Sequence, residues 1–209
     1  RTMAEAETEM IKLFGKKDFN KLKDLGMLRL LAPENFRTVT GRDGPAFFQN
    51  GVMYVSTDAP DIKAYTLHEG THSDLNKKAR NGFKLLLGDS YASIQKQFDR
   101  LLAKGDPMAK KADKGAELAL ATAKKRNYPE STWDEIYQQE RLAYYTTIAA
   151  NELMPAGWKK TPILRRIFNA INSYLRKSTW GKMLAKRGIA MPLTPDLAVS
   201  LAIRSIRYS

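Results

Sequence analysis

The chain has 209 residues, 43% of them hydrophobic, enough for one globular core with at most an appendage. It contains no cysteine, which excludes disulfide scaffolds and thiolate metal sites, and no apolar run approaches the length of a membrane span. Its net charge of +13 favours acidic partners: nucleic acid, an anionic membrane or an acidic protein.

The chain begins at Arg1, as expected of a processed or excised piece of a longer protein, and acids scattered through Thr2–Phe14 do not suit a signal peptide. Thr2-Met3-Ala4-Glu5 reads as a capping box and Gly15 as the stop of a first helix. Phe19, Leu22, Leu25, Leu28 and Leu31 continue a helical stripe, weakened at Gly26. Between Pro33 and Pro60, glycines and prolines punctuate short apolar segments. Phe36–Thr40 and Val52–Ser56 are the strand candidates there, and Gln49-Asn50-Gly51 is a hairpin turn. Asp58-Ala59-Pro60-Asp61 then opens a helix, with proline in the first turn and early acids at the positive end of the dipole.

Downstream, Tyr91, Ile94, Phe98, Leu101 and Leu102 form a helical stripe closed by Gly105, and Ala112–Lys125 is an alanine- and lysine-rich helix broken at Asn127–Pro129. Thr132-Trp133-Asp134-Glu135 is a second capping box, for a helix reaching about Asn151; Pro155 and Gly157 mark a boundary. Ile163, Leu164, Ile167, Phe168, Ile171 and Leu175 make the apolar face of a further helix, and Thr194-Pro195-Asp196 caps a closing one to about Arg207. The class predicted is α+β, mostly helical with a small sheet.

The two histidines of the chain are His68 and His72, in His68-Glu69-Gly70-Thr71-His72. This is the H-E-x-x-H spacing. On a helix, residues four apart share a face, so both imidazoles can reach one ion, and Glu69 can act as general base on the water that the ion activates. Catalytic zinc takes three protein ligands. With no further histidine and no cysteine, the third is a carboxylate: Asp74, Asp89, Asp99, Asp113, Glu117, Glu135, Glu140 and Glu152 are available. Glu140 is the choice, in an apolar and aromatic stretch, Gln139-Glu140-Arg141-Leu142-Ala143-Tyr144-Tyr145, where a carboxylate wants a partner. Asp74 is the alternative, by its closeness to His72. Tyr144, Tyr145 and Arg141 are candidate oxyanion donors. The Val52–Val55 strand can align an extended peptide by edge pairing.

His68-Glu69-Gly70-Thr71-His72 followed by Glu140-x-x-Ala143 resembles zincin-type metallopeptidases with two histidines and a distant glutamate. More narrowly, from about Phe47 to Arg207, the chain resembles the zincin-like domain of large polyvalent proteins of bacteriophages and conjugative elements. Gly70 and Thr71 stand where that group often carries bulky apolar residues. The resemblance implies a zincin-like peptidase domain over residues 1–155 with a basic helical extension over 156–209. It also implies a Zn²⁺-dependent peptidase acting on a peptide or protein substrate. Such a protein would be virion-associated or delivered to the bacterial host cell interior, as part of a larger polyprotein or virion assembly.

From Leu153 to Pro195 there is no acidic residue, while nine basic ones occur, among them Arg165, Arg166, Arg176 and Lys177. This one-signed stretch points to DNA or an anionic membrane as partner. It also supports a rival reading, a non-enzymatic nucleic-acid-binding or DNA-ejection module with a vestigial or structural metal site.

Overall fold

A threonine begins the first helix and a glycine ends it, as the sequence predicts: Thr2 and Glu5 form the reciprocal capping box, and Gly15 closes the helix at φ 79°. The computed structural model describes residues 1–72, 82–153 and 161–207. In chain order its elements are α1 (Met3–Phe14), α2 (Lys16–Asp24), β1 (Leu28–Leu31), α3 (Pro33–Thr40), β2 (Ala46–Gln49), β3 (Val52–Ser56) and α4 (Ile62–His72). There follow α5 (Gly82–Leu87), α6 (Tyr91–Ala103), α7 (Pro107–Lys125), α8 (Trp133–Leu153), α9 (Pro162–Lys177), α10 (Thr179–Lys186) and α11 (Pro195–Arg207). The fold is mostly helical with one small sheet. Contacts divide it into two units, Arg1–Asp74 with Leu175–Leu193, and Leu75–Tyr174 with Thr194–Ser209. Residues 156–209 are therefore shared between both units.

In the first unit, three sequence expectations are corrected, two of them about secondary structure. The stripe through Leu28 and Leu31 is not helical: α2 stops at Asp24, Gly26 turns the chain at φ 66°, and Leu28–Leu31 pairs in parallel with Met53–Ser56. Tertiary pairing overrides the three-residue spacing of the leucines. Phe36–Thr40, read as a strand, lies in α3. Pro33 starts that helix, Gly41 ends it in the left-handed conformation, and the hydroxyls of Thr38 and Thr40 donate to the carbonyls of Glu34 and Phe36. Those internal bonds accommodate the β-branched residues in a helix.

The hairpin is as predicted. Asn50 and Gly51 both have positive φ (50° and 78°), the primed turn that suits two-residue loops, and Ala46 and Gln49 face Val55 and Val52. Strand order is β1-β3-β2. β3 is thus paired on both sides, and the expectation that Val52–Val55 receives a substrate strand is overturned, because its hydrogen-bonding edges are already used. The unit's core joins Met10, Phe19, Leu22, Met53, Val55, Ile62, Leu67 and Trp180, with the Trp180 ring edge-on to Phe14 at 6.1 Å. At the corner before α10, Ser178 caps the helix through the Gly181 N–H (3.0 Å), and a Cβ on Gly181 would stand 2.0 Å from the Leu175 carbonyl oxygen, so only glycine fits.

In the second unit, α7 and α8 form a helical hairpin. Its seam on α7 is small, with Ala109, Ala112, Ala116 and Ala123 buried and the Tyr144 ring lying against Gly115. The second capping box does not form as predicted. A 3-10 turn, Glu130–Thr132, leads into α8, the Thr132 hydroxyl donates to the Pro129 carbonyl (2.6 Å), and Glu135 is drawn to Tyr91 and Lys84. The apolar face read for α9 is buried at Ile163, Leu164, Ile167, Ile171 and Leu175. Thr194 caps α11. Among the described residues no helix is long and apolar enough to cross a membrane.

Candidate metal centre

The motif lies at the C-terminal end of α4. Asp61 starts this helix by accepting from the Ala64 N–H (3.1 Å). Ile62, Ala64, Thr66 and Leu67 are buried at 1% exposure or less, packed toward α1, β2, β3 and α10. The Thr66 hydroxyl donates to the Ile62 carbonyl (2.7 Å), and Lys63 pairs with Glu9 of α1 (3.6 Å). The first two turns of α4 are thereby anchored, and the backbone stays helical through His72. Positions 68 and 72 are thus one turn apart, as two ligands from one helix require. The imidazoles of His68 and His72, and all of Asp74, lie outside the described residues. Glu69 is half-buried.

The remaining candidates are on α8, in the second unit. Glu140 is half-buried. Arg141, whose side chain is 8% exposed, is held on three sides: Nη2 lies 2.8 Å from Asp99, Nη1 donates to Gln138 (2.8 Å), and Nε is 3.0 Å from Asp113. The last contact is an ion pair without hydrogen-bond alignment, which leaves the Nε proton unsatisfied. The guanidinium also lies over the rings of Phe98 (4.6 Å) and Tyr137 (5.3 Å). Tyr145 is buried, edge-on to Phe98 at 5.6 Å, and burial pushes its phenol up to about 12. Tyr144, on the adjoining stripe of α8, is exposed.

These contacts occupy several of the carboxylates that compete to be the third ligand. Asp99 and Asp113 neutralise Arg141, and Asp113 also accepts from the Tyr137 hydroxyl (2.6 Å). Glu135 accepts from the Tyr91 hydroxyl (3.2 Å) and pairs with Lys84 (3.1 Å). Asp89 and Glu117 are exposed, and the Glu152 side chain is outside the described residues. Among the described residues no three His, Cys, Asp or Glu side chains come together as a metal cluster.

Of the basic residues singled out on α9, Arg165, Arg176 and Lys177 are exposed, whereas Arg166 donates to Gln97 (2.8 Å) and to Ser93 of α6. Sequence reasoning passed over Gln139, which is 2% exposed and binds two backbone N–H groups of α5. Its place one residue before a candidate ligand was visible, but a polar residue on a helix carries no mark of what it caps. Comparison with protein-family models, curated proteins and solved structures finds no match to the chain.

Proposed function

We propose that the chain is a zinc-dependent peptide hydrolase in which His68, His72 and Glu140 hold the ion and Glu69 is the general base. The observation that carries this reading is the anchored α4 helix, unbroken through both histidine positions. Two imidazoles and a carboxylate are an ordinary donor set for catalytic zinc. Glu140 is half-buried in the apolar and aromatic stretch of α8, where a carboxylate calls for a partner. The resemblance extends the proposal to a peptidase of phage or mobile-element origin.

Zinc in such a site supplies a Lewis acid that acidifies water and polarises a carbonyl. Glu69 takes the proton as water attacks the peptide carbon and returns it to the leaving amine. Tyr144, exposed where Arg141 and Tyr145 are committed to the core, is the donor best placed in its unit to meet a substrate oxygen.

Metal analysis of protein purified without chelator or nickel resin tests the reading. About one zinc per chain is expected, lost on His68→Ala or His72→Ala. Metal content unchanged in both variants would overturn it.

A further inference from the structure

The cations of α6 and of its C-cap residue Lys104 form a line that the sequence reading did not single out. Lys96, Arg100 and Lys104 are all exposed. They follow one another at four-residue intervals, about 6 Å apart along the helix. The opposite side of α6, at Tyr91, Ile94 and Phe98, is buried. At the head of this line Arg166 reaches over from α9, held by the Gln97 amide oxygen and the Ser93 hydroxyl. At its foot the Lys110 ammonium lies 3.5 Å from where a Cβ on Gly105 would stand, bringing the first turn of α7 to the end of α6. Lys114, also exposed, continues along α7 one turn further.

Two acids border this line. Asp99 pairs with Arg141, and Asp106 accepts from the Ala109 N–H (2.8 Å), capping α7. Arg166 is held by neutral groups, so its position is set while its charge is not cancelled. The result is a ridge of five cations, Arg166–Lys96–Arg100–Lys104–Lys110, lying wholly within the second unit and bordered by two acids, Asp99 in its ion pair with Arg141 and Asp106 at the α7 cap.

From this geometry we infer that the α6–α7 ridge is a docking surface for the phosphate backbone of duplex DNA, recognised without regard to sequence. A row of cations at near-phosphate spacing suits a polyphosphate track. Membrane surfaces are less well matched: the one large apolar side chain exposed on α6 or α7 among the described residues is Leu118, two turns beyond Lys110, so the ridge has nothing to insert into lipid. Single strands are held by exposed aromatics that stack bases, and both aromatics of α6 are buried. The inference does not depend on the metal site.

The test is the binding of a fluorescent mixed-sequence DNA duplex to the full-length chain, measured across a salt series starting near ~50 mM. The ridge variant carries Lys96→Glu, Arg100→Glu, Lys104→Glu and Lys110→Glu. A control with the same change in net charge carries Lys16→Glu, Lys17→Glu, Arg176→Glu and Lys177→Glu. The ridge variant should bind at least about tenfold more weakly, and its slope of log affinity against log salt should fall by roughly 3–4 units. The control should lose less than about threefold, and zinc content should be the same in both. A glutamine version of the ridge variant, which keeps every side chain polar without reversing charge, should show the same ranking. Equal losses in ridge and control variants would overturn the inference, reducing binding to net charge. So would an absence of duplex binding by the parent at low salt, tighter binding of single strands than of duplex, or ridge-dependent binding to anionic vesicles without binding to DNA.

Discussion

Gln139 of α8 holds the start of α5: its side-chain oxygen accepts from the backbone N–H groups of Phe83 (3.0 Å) and Lys84 (3.1 Å). The first N–H groups of a helix have no partner within it, and here a side chain from another helix supplies one. One turn earlier on α8, Glu135 pairs with the Lys84 side chain and accepts from Tyr91 at the head of α6. Gln139→Leu keeps the volume but leaves buried donors unmet, at about 1–3 kcal/mol for each. Its urea midpoint should fall well below that of Gln139→Glu, which retains the acceptor. Equal midpoints would show that the cap contributes nothing.

Arg141 should prove a stability residue. Replacing it with methionine leaves half-exposed Asp99 and part-buried Asp113 without their cation, a loss on the order of 1–2 kcal/mol after screening by water at Asp99. Lysine cannot reproduce the fork and should recover less than half of that. Hydrolysis per folded molecule should be unchanged in Arg141→Lys. A fall in turnover larger than the fall in folded fraction would instead make Arg141 an oxyanion donor.

Alkaline pH offers a separate probe of the second unit. Burial favours the neutral form of Tyr145, raising its pKa from 10.0 to about 12. The unfolded chain therefore loses this proton first as pH rises. The stability tied to Tyr145 is complete below pH 10.0 and is lost as pH climbs through about 12. Tyr145→Phe should flatten the fall of melting temperature over that window relative to the parent. Lysine titration is common to both proteins and cancels in the difference. Superimposable pH profiles would place the phenol in water.

Binding and chemistry at the motif should separate. Glu69→Gln should retain zinc and lose about 10²- to 10⁴-fold in hydrolysis of an unfolded protein substrate, because an amide cannot take the proton. Glu140→Gln should instead lower zinc content. A Glu140→Gln variant with full zinc would move the third ligand to another carboxylate while leaving the histidines in place.

What the sequence determined by itself are features carried by neighbours in the chain. Thr2 with Glu5, Gly15, Asn50-Gly51 and Thr194 mark ends and turns through local backbone chemistry, and the structure places those boundaries where the sequence predicts them. The spacing of His68, Glu69 and His72 is equally local, since a helix alone puts positions four apart on one side. Tertiary structure decided what depends on partners distant in sequence. Leu28–Leu31 becomes a strand because β3 is there to pair with it, and β3 loses its free edge for the same reason. Glu135 leaves its own helix start for Tyr91 and Lys84. Arg141, a candidate oxyanion donor by sequence, is enclosed by acids from α6 and α7, and Arg166 turns from the α9 surface to α6. Short-range caps cost no loop closure and can be read along the chain, whereas these pairings exist only once the chain has brought together groups roughly 25 to 70 residues apart, at the entropic cost of closing those loops.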